Sequence, residues 1–159
     1  VSLHTAKHSY VRAPGFRLHS DVDRIVRYQD INWEVFLNKT IELKLKVAVY
    51  FSLYFSFKLL KTPIPEFVFA RLKPSWSRKK VILYYINKAG LYNQNKKKFS
   101  KFGYIIFNLF LYDSVKQNFS AIFPSYKSIK VKYPIKNKLQ LPYFYILRIS
   151  DLIFKRAKL

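Results

Sequence analysis

The chain has 159 residues, with 30 Lys and Arg against 8 Asp and Glu, a formal net charge of +22, and no cysteine. The missing cysteine excludes disulfides, thiolate metal sites and thiol catalysis. An apolar share of 50%, carried by 15 Phe and 13 Tyr beside only 3 Gly, calls for one folded domain or two very small ones packed with aromatic bulk.

The charge is uneven. Residues 1–36 hold Lys7, Arg12, Arg17, Arg24 and Arg27 against Asp21, Asp23, Asp30 and Glu34, and from Val68 onward the only acids are Asp113 and Asp151. Self-repulsion on that scale points to a polyanionic partner, with nucleic acid ahead of an anionic membrane surface. The three His (His4, His8, His19) match no zinc spacing and are expected to be solvated. No acid–base pair, metal cluster or phosphate loop stands out, so neither an enzyme nor a cofactor is expected. Lys outnumbers Arg, and Phe, Tyr, Ile and Asn are abundant, a composition associated with AT-rich organellar genomes. Residues 1–20 lack acids and suit either a transit peptide or a tail threaded into rRNA.

In chain order, residues 1–20 form an extension loosened at Pro14-Gly15, and Ser20 with Asp23 resembles a capping box for a helix near 21–29. Segment 41–59 alternates apolar and polar residues like a strand yet is too long for one. It is read as strand-like early and helical from about 47 to 61, stopped by Thr62-Pro63 and Pro65. Glu66 to Lys73 reads as a strand ending at Pro74. A helix over 77–89 follows, capped by Ser75 or Ser77 and closed by Gly90.

Residues 92–101, with Lys96-Lys97-Lys98, read as a loop. Tyr104–Tyr112 and Asn118–Phe123 read as strands around a turn near Asp113-Ser114. A further strand carries Ile129, Val131 and Tyr133. Pro134 to Gln140 is a basic connector, Tyr143–Ile149 a last strand, and Asp151–Lys158 a short basic helix. The runs Val47–Phe57 and Phe102–Tyr112 are 11 residues each, well short of the roughly 20 needed to cross a bilayer. A membrane span is therefore not expected. Tyr84 and Tyr85 are assigned to the core. Trp33 and Trp76 suit either a base-stacking or a surface-plugging role.

Three landmarks resemble the family of universal small-subunit ribosomal protein eight. That family shows Pro-x-Ser-Lys-Leu-Lys before a helix ending in Glu-Gly-Phe/Tyr-Ile. Here Pro74-Ser75-Trp76-Ser77-Arg78-Lys79-Lys80 precedes Gly90-Leu91-Tyr92 with the same separation. The family's Ser-x-Pro-Gly-x-Arg-Ile/Val-Tyr turn aligns with Ser125-Tyr126-Lys127-Ser128-Ile129-Lys130-Val131-Lys132. Its last apolar strand aligns with Tyr143 to Ser150. The match departs at Lys127-Ser128, where the family has Pro-Gly, and at Arg148-Ile149-Ser150-Asp151-Leu152, where it has Ser-Thr-Ser-Lys-Gly. The closing Gly-Gly-Glu strand has no counterpart before Leu159.

The resemblance implies an α+β protein of two small subdomains, α-β-α-β-β at 46–118 and β-rich with a short terminal helix at 119–159, behind an extension at 1–45. It implies a non-catalytic constituent of a mitochondrial small ribosomal subunit in the matrix, bound to a helix of the rRNA central domain and to neighbouring ribosomal proteins. A plastid is the other candidate organelle. The RNA contacts it implies are Ser75, Ser77, Arg78, Lys79, Lys80, Ser125, Lys127, Ser128, Lys130, Arg148, Ser150, Lys155 and Arg156, with no metal and no small-molecule substrate. Lys and Arg would neutralise phosphates, amides at the Ser77 helix start would add a phosphate contact, and serine hydroxyls would reach 2′-OH groups. The alternative is a basic accessory subunit of an inner-membrane respiratory or ATP synthase complex.

Overall fold

Residues 46–60 carry apolar side chains on every side, and a helix of that kind is stable only when neighbours surround it. The computed structural model describes Ser2 and residues 15–89, 99–135 and 137–151, and in it this segment is the central helix. In chain order the helices are α1 (Gly15–Tyr28), α2 (Trp33–Glu42), α3 (Lys46–Leu60), α4 (Glu66–Leu72), α5 (Trp76–Ala89) and α6 (Lys101–Phe110). They continue with α7 (Val115–Ile122), α8 (Tyr126–Lys132) and, after a 3₁₀ turn at Lys138–Gln140, α9 (Leu141–Ser150).

There is no strand among the described residues, so the fold is all-α and the expected α+β architecture is wrong. The segments read as strands at 66–73, 104–112, 118–123, 129–133 and 143–149 are helical in α4, α6, α7, α8 and α9. Aromatic and β-branched residues suggested strands, but such propensity is a weak prior that packing overrides. What governs is the burial spacing. Val68 and Leu72 are buried in α4, and Gly103, Phe107 and Leu111 line one side of α6, while Phe67, Phe102 and Ile106 face out. Steps of four residues describe a helix face, not a sheet face.

Polar caps set the helix starts. Asn32 Oδ1 accepts the Val35 N–H at 3.0 Å, and Ser100 Oγ accepts the Gly103 N–H at 3.1 Å. Ser125 caps α8 by accepting from the Ser128 N–H. Ser114 and Gln117 form a reciprocal capping box at α7, at the turn expected near Asp113-Ser114. At the first helix the expected cap is absent: α1 begins at Gly15, and Ser20 lies inside it, donating to Phe16 O at 3.3 Å. Lys44 and Lys61, both at φ 54, take left-handed conformations just beyond α2 and α3.

One apolar core joins α1 to α6. Val22 from α1, Leu37 from α2, Phe51 and Leu53 from α3, Val68 from α4, Ile82 from α5 and Phe107 from α6 all belong to it. Residues 15–42, within the segment marked off as an extension, pack through α1 and α2 onto α3 and α4. No helix among the described residues is long and apolar enough to cross a membrane. Toward the C-terminus burial thins to Ile129 and Ile135. There Val115 and Phe119 on α7 and Tyr143 and Ile146 on α9 remain exposed at one-turn spacings.

Two polar features tie the core. The first is His19, expected in solvent but fully buried against α3. Ser56 donates its hydroxyl proton to Ser52 O at 2.9 Å, which leaves its oxygen to accept from His19 Nδ1 at 3.2 Å. Burial pulls the imidazole pKa from 6.5 down to about 4, against an opposing hydrogen bond to the Ser52 backbone. The second is Asp113, whose carboxylate accepts the Lys46 and Val47 N–H groups, both at 2.8 Å. These are orphan donors at the start of α3, whose own cap position, Leu45, has no side-chain acceptor.

Because the folded state holds His19 neutral, the unfolded chain binds more protons between about pH 4 and 6.5. The stability from this site is complete above pH 6.5 and is lost as pH falls toward 4. Between pH 7 and 4.5 urea unfolding should report a loss of roughly 2–3 kcal/mol that His19→Gln removes. Asp113→Ala should cost about 2 kcal/mol in the same assay, and Asp113→Asn, which keeps one acceptor, about half of that.

Candidate nucleic-acid interface

Helix α5 divides its residues by face. Ile82 and Ile86 are buried, and Leu83 and Tyr85 pack against the core. The opposite side carries Trp76, Lys80, Tyr84 and Lys88, each four residues after the last and all exposed. Trp76 is 76% exposed and Tyr84 60%, so these rings meet water, not the core. Lys80 Nζ sits 5.0 Å from the Trp76 ring centroid and Lys88 Nζ 6.0 Å from that of Tyr84. The result is an alternating ring–cation–ring–cation stripe held by contacts one turn apart. Helix α5 contains no acid.

Beside it lies a second basic row. Tyr50 and Tyr54 of α3 stack at 5.6 Å, and Lys79 Nζ hangs over both, 5.8 Å and 5.1 Å from their centroids. Lys58 Nζ approaches the Tyr54 ring at 5.6 Å. These cations cover aromatic surface with their stems while keeping their charge near solvent.

The sequence-derived contacts divide accordingly. Ser75 and Ser77 are exposed at the start of α5, their hydroxyls 3.4 Å apart, and Lys79 and Lys80 follow in its first turns. Arg78 turns inward, donating from Nη1 to Asp113 O at 2.8 Å, so it braces the fold. Ser125 and Ser128 are joined at 3.0 Å in the α8 cap, and their hydroxyls serve that turn. Lys127 and Lys130 are exposed on α8. Arg148 donates from Nε to Ile122 O at 3.2 Å, linking α9 to α7, and Ser150 is exposed at the end of α9. Lys155, Arg156, Gly90, the Lys96-Lys97-Lys98 run and all but the first residue of the helix expected at Asp151–Lys158 lie outside the described residues.

Sequence reasoning missed Tyr84 and Lys88. The signal was present: Trp76, Lys80, Tyr84 and Lys88 recur every fourth residue, out of phase with Ile82 and Ile86. Its aromatic character alone points Tyr84 to the core, and the phase decides otherwise.

Five of the eight acids, Asp113 among them, are committed within the fold. Asp23 pairs with Arg27 at 2.9 Å and accepts from Thr62, and Glu34 pairs with Arg71 at 2.6 Å. Glu42 meets Lys39 at 3.3 Å, and Asp151 accepts from Tyr133 at 2.9 Å. Among the described residues no group of His, Cys, Asp and Glu could hold a metal ion. A cavity of about 430 Å³ opens between α1, α2 and α3, lined by Val22, Val26, Trp33, Phe36, Leu45 and Val49 among others. Among the described residues its one charged neighbour is Lys39, so these residues give it no acid–base pair for chemistry. The chain matches no protein-family model, no curated protein and no solved structure.

The split between Arg78 and Lys80 can be measured. Arg78→Ala should lower the thermal midpoint by several degrees, because it leaves the Asp113 carbonyl without that donor. Lys80→Ala should leave the midpoint within about a degree, since the side chain is exposed.

Proposed function

We propose that this chain is a non-catalytic RNA-binding constituent of a mitochondrial ribosome. The observation that carries the reading is the disposition of charge. Five of the eight acids are engaged by the fold, while exposed lysines outnumber the acids and lie beside exposed rings on α5. Phosphate neutralisation is the chemistry such a surface performs, and rRNA supplies phosphate at a density that offsets a net charge of +22. The lysine-rich, glycine-poor composition supports an organellar source.

Assignment to the small subunit, and to its rRNA central domain, rests on the ordered landmarks at Pro74 to Gly90, at Ser125 and at Tyr143 to Ser150 alone. The strands that the family would place around them are helices here, where those residues are described. What supports RNA binding is therefore the charge and the α5 stripe, independent of that family.

A second reading has one observation behind it. The exposed apolar rows on α7 and α9 suit a contact with another protein, as in a basic accessory subunit of an inner-membrane complex. With no membrane-crossing helix among the described residues, such a subunit would dock peripherally through these residues.

Gradient sedimentation of organelle lysates separates the two. The chain should travel with small ribosomal subunits and leave a carbonate-washed membrane pellet. Its affinity for rRNA fragments should fall with salt, the log–log slope gaining about 0.9 for each phosphate contact. Sedimentation with respiratory or ATP synthase complexes would overturn the ribosomal reading.

A further inference from the structure

We infer that the exposed face of α5 grips an unpaired stretch of RNA, with Trp76 and Tyr84 stacking on bases while Lys80 and Lys88 hold the intervening phosphates. The inference rests on the RNA reading above and narrows it from rRNA in general to single-stranded segments.

The geometry discriminates between strands and duplexes. In an A-form duplex the bases are stacked on one another and the major groove is too deep and narrow for side chains. An aromatic ring standing out from a helix therefore finds a base face only where the RNA is unpaired. Trp76 and Tyr84 are eight residues apart, which places them about 12 Å apart along the helix axis. Lys80 lies midway and Lys88 one turn beyond. Each lysine covers part of its own ring, at 5.0 Å and 6.0 Å, and the high exposure of both rings leaves room for a base. Asn87, exposed and three residues after Tyr84, gives the same side an amide able to pair with a base edge.

A protein partner fits this face less well. Burying Lys80 and Lys88 against another polypeptide would require matching acids, or the cost of desolvating both amines would go unrecovered. RNA supplies negative charge and flat aromatic faces together, in the alternation that α5 displays. The side chains are free to vary, because none of the four is part of the buried core.

The test uses the full chain and two probes, a labelled 12-nucleotide single-stranded RNA and the same strand annealed to its complement, at about 0.15 M salt. The single strand should bind at least tenfold more tightly than the duplex. Trp76→Ala and Tyr84→Ala should each weaken single-strand binding roughly tenfold, leaving duplex affinity unchanged. Trp76→Phe, which retains a ring, should recover most of the loss, and Lys80→Ala should lower the salt slope by about 0.7. If the chain binds RNA but Trp76→Ala and Tyr84→Ala match the unaltered protein on the single strand, the stacking inference is overturned and the RNA reading stands. If neither probe binds, the RNA reading falls with it. Circular dichroism of each variant, expected to match the parent, shows that a loss reflects the interface.

Discussion

The structure depends on a carboxylate that reaches across the chain to start a helix it does not belong to. Central α3 is apolar on all sides, and Leu45 before it offers no capping oxygen, so its first N–H groups would be buried without partners. Asp113 supplies both its oxygens to them. Gln117 then holds the Asp113 and Ser114 N–H groups through its Oε1, while its amide donates to Lys44 O at 3.0 Å. Arg78 closes the knot from α5. Three segments distant in sequence thus meet at one turn, and the helix presenting the aromatic stripe is anchored to the same point. A negative charge at the start of α3 also complements its dipole.

That arrangement explains how so basic a chain keeps a fold. The ion pairs among the described residues are mostly solvent-facing and individually weak. Stability must come instead from the aromatic and aliphatic core around α3. Lysine stems laid over Tyr50, Tyr54 and Trp76 add apolar cover without adding acids. The surface is left with an excess of positive charge that a polyanion would relieve.

The sequence showed some of this plainly. The helix over 77–89 and that over 47–61 coincide with α5 and α3 to within a residue, because Pro74 precedes the first, Thr62-Pro63 stops the second, and their apolar residues recur at helical spacing. The remaining segments misled through composition. Phe, Tyr, Ile and Val at 104–112 and 143–149 resemble strand material, yet Ser100, Ser114 and Asn137 stand before helices as capping residues. Ser114-Val115-Lys116-Gln117 is a capping-box pattern legible in the sequence, at the turn expected near Asp113-Ser114 between two strands. His19 was opaque for a different reason. Its burial depends on Ser52 and Ser56 of α3, and no local pattern announces a partner that far along the chain. Of the interface, the basic first turn of α5 was visible, but the outward direction of Tyr84 needed the phase of the buried isoleucines.

Lys44 and Lys61 carry a last consequence. Both occupy backbone angles that suit glycine, at the two places where the chain leaves α2 and α3. A side chain there costs about 1 kcal/mol in crowding against the backbone, a tension borne at each corner by a residue that brings charge in exchange. At Lys61 the strained corner is also clasped, since the Arg27 guanidinium donates to its carbonyl and to that of Leu60. The protein has traded easy bends for cationic ones, and its corners extend the electropositive exterior into positions most folds leave bare.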